Sequence, residues 1–163
     1  MKALDAISAA IARATAWVVA ILATIMLSAL VLQVFSRYVL GSAFSWTEEL
    51  AIILFAWVVL LTATIAIRDD DHVRLDAALG ALPDPARRVW LRVIAVGILG
   101  FCILFAWSGV SYVDRTLGQV TAAMRLPIEC LHLAVPVSGV IGALHAFVRV
   151  FIPVADRTEE APA

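Results

Sequence analysis

Residues 14–36 read ATAWVVAILATIMLSALVLQVFS, 23 positions without an aspartate, glutamate, lysine or arginine. Three more stretches, of 18, 21 and 19 residues, share this property: Leu50–Ile67, Val93–Val113 and Cys130–Val148. A helix rises about 1.5 Å per residue and the hydrocarbon core of a bilayer is about 30 Å thick, so each stretch can cross a membrane, the shorter ones with help from flanking residues. Strand-type alternation is absent, so the sequence predicts an all-α integral membrane protein with four transmembrane helices.

Composition agrees with this fold class and excludes others. The 163 residues are 63% hydrophobic and the mean hydropathy is +0.99, far above the range of soluble globular proteins. The net charge of −1 argues against nucleic acid as a partner. No repeat or linker divides the chain, so residues 1–163 are predicted to form a single membrane domain.

The element boundaries follow from charge, punctuation and periodicity. Leu4, Ile7 and Ile11 recur at helical spacing before the first span, and residues 75–82 show the same amphipathic pattern, so both segments are predicted as short interfacial helices. From Pro85 the helical pattern continues to Leu117, where Gly118 closes it. The predicted spans are 14–36, 46–67, 88–113 and 128–148, the interfacial helices are 2–12 and 71–82, and a polar tail covers 153–163.

The fourth predicted span has two special features. Pro136 lacks a backbone donor, so it should kink the helix. Small residues recur every fourth position and allow another helix to approach closely. This predicted packing face consists of Ser138, Gly139, Gly142, Ala143 and Ala146.

Basic residues predict the orientation. The N-terminal segment, the loop between the second and third spans, and the C-terminal tail carry nine lysines and arginines, whereas the other two loops carry three, Arg37, Arg115 and Arg125. By the positive-inside rule, both termini are predicted to lie in the cytoplasm.

Charged groups are missing from the middle of every predicted span. A charge at the bilayer centre costs about 2.5–3.5 kcal/mol on insertion scales, so such groups are kept for binding substrates or ions. Apart from hydroxyl-bearing side chains, only Gln33, His132 and His145 interrupt the apolar stretches. This absence of charged groups argues that the chain has no site of its own for a charged substrate. The sequence also contains no nucleophile–base pair, phosphate loop or zinc motif, so we expect no enzyme activity, catalytic residue, cofactor or metal.

Two rival functions stay open. His132 and His145 are 13 positions apart on one span, close to the spacing of haem ligands in membrane cytochromes, and one haem between His72 and His145 would make the chain a membrane anchor of an oxidoreductase. An autonomous small-solute exporter is the second rival. Such proteins usually place an essential carboxylate within a span, and this sequence has none in the four charge-free stretches.

Several short motifs resemble one family. Arg37-Tyr38, followed by FSWTEELA at 44–51, resembles the Trp-x-Glu-Glu signature of the small membrane subunit of TRAP transporters (tripartite ATP-independent periplasmic, DctQ type). The stretch HVRLD at 72–76 is similar to the second signature of that family, and Leu-Pro pairs at 82–83 and 126–127 fit as well. The resemblance covers roughly residues 10–153.

The resemblance implies a function and partners. Family members join a much larger membrane subunit, which binds substrate and sodium and moves as an elevator, while a periplasmic binding protein delivers an organic acid. The small subunit enlarges the static scaffold in the bacterial inner membrane, surrounded by lipid. The resemblance also implies contact or anchoring roles for Arg37, Trp46, Glu48, Glu49, His72 and Asp76.

Overall fold

The computed structural model describes residues 2–42, 44–69 and 84–151. Their helices are α1 (Lys2–Val39), α2 (Ser45–Asp69), α3 (Asp84–Thr116), α4 (Glu129–His132) and α5 (Ala134–Phe151). Four helical segments are long and apolar enough to cross a membrane, and these ranges contain no strand beyond an isolated bridge between Val120 and Pro127. The predicted all-α class with four spans is confirmed. The predicted helix 71–82, including His72 and Asp76, and the tail 153–163 lie outside the described residues.

The first helix differs from the prediction. Residues 2–12 are not a separate interfacial helix, because α1 runs without interruption over 38 residues, about 57 Å. Lys2–Val39 contains no glycine or proline, and alanine, which is frequent in its first turns, has the highest helix propensity. The helix is therefore not interrupted before the apolar stretch. The N-terminal turns therefore extend α1 well beyond the thickness of a hydrocarbon core.

The third helix begins and ends close to the predicted positions. α3 covers 33 residues from Asp84 to Thr116, and Gly118 follows it with a φ of +81°, the left-handed conformation in which glycine commonly ends a helix. The prediction of one long helix closed by Gly118 is confirmed.

The helices form an open row in the order α1, α2, α5, α3. α1 packs along α2, α2 also packs on α5, and α5 packs on α3, whereas α1 and α3 share no extensive contact. The two central segments are more buried than the two at the ends of the row. Within the most apolar part of each segment, 28% of the residues of α2 and 44% of those of the fourth segment are buried, compared with 6% for α1 and 11% for α3. The two end helices thus present broad apolar faces outward.

The buried face of α1 follows a seven-residue repeat. Ser8, Thr15, Ala29 and Ser36 are separated by seven or fourteen positions and are all buried, as is Ala12 on the same face. This spacing is typical of left-handed helix pairs. The small side chains allow the close backbone approach that holds helices together in lipid, where apolar burial alone contributes little. The opposite face of α1 exposes large residues such as Trp17 and Tyr38.

The contact between α3 and α5 is closer still. A Cβ added to Gly109 would lie 2.8 Å from atoms of Pro136, and one added to Gly139 would lie 2.8 Å from the backbone nitrogen of Ala106. A Cβ on Gly142 would lie 3.1 Å from Cys102 Sγ. Of the predicted packing face, Gly139 and Gly142 therefore lie directly on α3. Ser138 and Ala146 are buried, and Ala143 is half-buried.

The fourth apolar segment is divided at Leu133 into α4 and α5. Pro136 causes this interruption, because it has no N–H to donate to the carbonyl of His132, four residues earlier. The next hydrogen bond of the helix, from the Val137 N–H to the Leu133 carbonyl, is present at 3.2 Å. The helix is therefore interrupted in the turn before the proline.

Candidate functional site

Glu49 joins the start of α2 to the connection between α3 and α4. Its Oε2 accepts a hydrogen bond from the backbone N–H of Ala123 at 2.6 Å, and its Oε1 accepts one from Met124 at 3.1 Å. These hydrogen bonds link residues 74 and 75 positions apart in sequence. Because a carboxylate accepts both, they are charge-assisted and stronger than ordinary neutral hydrogen bonds.

The connection itself, residues 117–128, has a defined structure that we call the α3–α4 loop. The Thr121 N–H donates to the Leu126 carbonyl at 2.8 Å, while Thr121 Oγ1 accepts from the Leu126 N–H at 3.0 Å. Between them Arg125 has a φ of +52°. A further bond from the Ile128 N–H to the Gln119 carbonyl, at 3.0 Å, closes the base of the loop. The loop is therefore a hairpin-like turn held from within and by Glu49.

The start of the fourth segment is fixed to the neighbouring helices. Glu129 Oε1 accepts a hydrogen bond from the N–H of Gly118 at 2.9 Å. His132 Nδ1 lies 2.9 Å from Thr116 Oγ1, and its ring meets Tyr112 edge-on with centroids 4.5 Å apart. Trp57 Nε1 donates to the Cys130 carbonyl at 2.7 Å. This end of the protein is held together by side-chain contacts among α2, α3 and α4.

Four of the predicted contact residues lie near the start of α2, and only one of them contacts another described part of the chain through a long-range hydrogen bond. Glu49 contacts the α3–α4 loop, whereas Glu48 is exposed, since adjacent residues on a helix point in different directions. Trp46 is exposed and lies beside Phe44, with ring centroids 6.3 Å apart. Arg37, at the end of α1, is also exposed. Arg37, Trp46 and Glu48 are thus available to another molecule.

A second polar group lies at the opposite ends of the helices, and we call it the basal cluster: Asp5, Ser8, Arg68, His145 and Arg149. The Ser8 Oγ lies 2.8 Å from His145 Nδ1, and both residues are fully buried. Arg68 contacts a carboxylate oxygen of Asp5 at 3.9 Å. Arg149 donates to the carbonyl of Ile67 at 3.4 Å. The cluster joins α1, α2 and α5 through groups that would be costly to bury without partners.

The basal cluster was not predicted from the sequence. Ser8 and His145 are 137 positions apart, and neither lies in a motif. The available signal was weak: a histidine and an arginine, four positions apart, near the end of an apolar stretch. As for the rival haem function, His145 contacts Ser8 and His132 contacts Thr116, so each imidazole is engaged by a hydroxyl of another helix. Among the described residues, no three His, Cys, Asp or Glu side chains converge as a metal site would require.

Comparison with known proteins gives a family. The family of the tripartite ATP-independent periplasmic transporters, DctQ component, matches residues 26–155. The chain is 25% identical over 137 residues to a putative TRAP transporter small permease protein of Haemophilus influenzae, covering 84% of this chain and 81% of that protein. It is 29% identical over 120 residues to the C4-dicarboxylate TRAP transporter small permease protein DctQ of Rhodobacter capsulatus, covering 72% and 52%.

A third relative is much longer. The chain is 26% identical over 112 residues to the sialic acid TRAP transporter permease protein SiaT of Haemophilus influenzae. The matched residues cover 69% of this chain and only 18% of that protein. Proteins of the matched family are transport components and not enzymes. The extent of the family match, together with the four apolar helices, shows that this chain is a multi-pass membrane protein of the DctQ family, the small permease subunits of TRAP transporters.

Proposed function

We propose that this chain is the static scaffold subunit of a sodium-driven importer of an organic acid. In this proposal, a larger membrane subunit binds the substrate and moves as an elevator, while this chain stays fixed beside it in the bacterial inner membrane. A periplasmic binding protein delivers the substrate to the pair.

One observation carries the scaffold role: charged side chains are absent from the middle of all four apolar helices. A subunit that binds an ionic substrate or a coupling ion places polar or ionisable groups at mid-depth. In the described ranges, most polar contacts between helices instead lie near the helix ends, in the α3–α4 loop and the basal cluster, and the contact made by Trp57 in the middle of α2 comes from a neutral indole. Such contacts fix helices to one another and place no charged group at mid-depth.

The longer relative supports a large partner. Only 18% of the Haemophilus influenzae SiaT permease corresponds to this chain, as a fusion of a small subunit with a much larger one would give. The open row of helices supports the same arrangement, because α1 and α3 each leave an apolar face that a second membrane subunit can cover. The exposed side chains of Arg37, Trp46 and Glu48 are proposed contacts at one end. His72 and Asp76 are proposed to orient the connection between α2 and α3 against headgroups or the partner.

Purification tests the proposal. The tagged chain, extracted from its native membrane in mild detergent, should bring with it a larger multispanning polypeptide in equal amount. Liposomes that contain this chain alone should not accumulate an organic acid down a sodium gradient, whereas liposomes with both polypeptides and the binding protein should. A chain that purifies alone, or one that transports by itself, would contradict the scaffold role.

Orientation is tested separately. Fusion of a fluorescent reporter that matures only in the cytoplasm to the C-terminus should give a bright signal, because the positive-inside rule predicts that this end lies inside. A matched fusion inside the α3–α4 loop should be dark.

A further inference from the structure

Arg125 is the only non-glycine residue with a positive φ, +52°, in the parts of the chain that the structure describes. A side chain in the left-handed region is strained, and glycine takes the same conformation without that cost. Strained residues of this kind persist only where the surrounding structure determines their conformation, and they occur most often at functional sites. A turn alone would favour glycine at this position, so the presence of an arginine side chain suggests that the side chain has a function.

The surroundings of Arg125 fix its conformation from both sides. Before it, the N–H groups of Ala123 and Met124 are held by Glu49 at 2.6 and 3.1 Å. After it, Leu126 is bonded twice to Thr121, at 2.8 and 3.0 Å. A residue held in this way is presented in one backbone conformation, which lowers the entropy lost when another molecule binds it.

Arg125 is exposed, and its guanidinium has no carboxylate within ion-pair distance among the described residues. The same loop exposes two apolar side chains, Leu117 (60% exposed) and Val120 (59% exposed). An arginine beside apolar groups is typical of protein interfaces, where arginine is enriched and often carries much of the binding energy.

The position of the loop identifies the kind of partner. The loop lies at the end with few basic residues, which the positive-inside rule places outside the cytoplasm. We propose that the α3–α4 loop is the docking surface for the soluble binding protein, and that Arg125 pairs with a carboxylate of that protein. This inference rests on the proposed function, because it assigns a surface to the third component of that transporter.

Photo-cross-linking in cells tests this docking surface. The photoreactive residue p-benzoylphenylalanine replaces Ala122, an exposed neighbour in the loop, and the cross-linked product is identified by mass spectrometry. The expected product is an exported soluble protein without membrane spans. Arg125→Glu and Arg125→Gly should each lower its yield about tenfold, since both remove the cation and glycine keeps the backbone conformation. The matched control is Arg115→Glu, which reverses another exposed arginine just before the loop and should leave the yield within about twofold.

Each other outcome overturns the docking proposal. A cross-link to the large membrane subunit or to lipid gives the loop a different occupant. Full yield with Arg125→Gly shows that the side chain is not recognised, and equal losses with Arg115→Glu and Arg125→Glu show only general attraction by charge. Co-purification of the large subunit is measured for every variant. Its presence with a failed cross-link rejects the docking surface alone, whereas its absence from the unchanged protein rejects the proposed function.

Discussion

The hydroxyl of Ser8 lies 2.8 Å from Nδ1 of His145, and this contact joins the second turn of the first helix to the last helix. The two helices otherwise touch little, because α2 lies between them over most of their length. Both side chains are fully buried, so each depends on the other for its polar contact at these atoms. This buried hydrogen bond and the Asp5–Arg68 ion pair therefore help to hold the N-terminal turns of α1 against α2 and α5.

Ser8→Ala should destabilise the protein by about 1–3 kcal/mol, because it leaves a buried ring nitrogen without the hydroxyl. The matched control is Ser28→Ala. Ser28 lies on the exposed face of the same helix and donates only to the Thr24 carbonyl of its own turn, at 2.8 Å. Thermal unfolding in detergent, followed by far-ultraviolet circular dichroism, should show a lower midpoint for the first variant and little change for the second. Equal midpoints would show that the contact contributes nothing to stability.

Gly139→Ala should destabilise the contact between α3 and α5 by about 1–3 kcal/mol, the usual cost of overpacking. The new methyl group would lie 2.8 Å from the backbone nitrogen of Ala106, and a helix backbone cannot move aside as a flexible side chain can. Gly97→Ala is the control, since a Cβ at that position has nothing within 4 Å. That change should be neutral or stabilise the helix by up to about 1 kcal/mol. The unfolding midpoint should therefore fall for Gly139→Ala and stay the same or rise for Gly97→Ala.

Ala29→Leu should weaken the packing of α1 on α2, because Ala29 is 6% exposed and lies in the seven-residue repeat of the buried face. The expected cost is about 1–3 kcal/mol. Ala20→Leu places the same added volume on the exposed face of α1 and should be tolerated. Cross-linking between cysteines placed on α1 and α2 gives a direct measurement. A lower rate for Ala29→Leu alone is expected, and equal rates would mean that α1 packs through another face.

Much of this fold can be predicted from the sequence. Four charge-free stretches predict four spans, because the cost of burying charge in lipid is large and independent of which helix lies beside which. The length of α3 follows from Asp84-Pro85 at one end and Gly118 at the other, residues with strong conformational preferences. The continuity of α1 was missed because amphipathic spacing at residues 2–12 indicates a helix and says nothing about whether it is separate.

The lateral order of the helices and the two polar groups could not be predicted in the same way. In lipid, the apolar faces of four helices carry similar signals, so the sequence does not show that α5 lies between α2 and α3. The partners of Glu49 are the backbone N–H groups of Ala123 and Met124, and any residue type supplies such groups. The Ser8–His145 pair has a signature only after the chain has folded, since it joins residues from its two ends.

The two adjacent glutamates at the start of α2 should respond differently to the loss of their charge. Glu49→Gln should loosen the α3–α4 loop, because a neutral amide offers one acceptor oxygen where the carboxylate offers two, and its NH₂ group faces a donor. The change removes charge-assisted hydrogen bonds to the loop backbone, so the amides of Ala123 and Met124 should exchange with solvent about tenfold faster or more.

Glu48→Gln is the matched control for that change, since Glu48 is exposed and bears the same charge one position earlier. Hydrogen exchange measured by mass spectrometry over a peptide covering 117–128 distinguishes the two variants. Faster exchange with Glu49→Gln alone follows if the carboxylate holds the loop. If both variants exchange at the rate of the unchanged protein, the hydrogen bonds within the loop are sufficient, and Glu49 is not the residue that fixes Arg125 in its left-handed conformation.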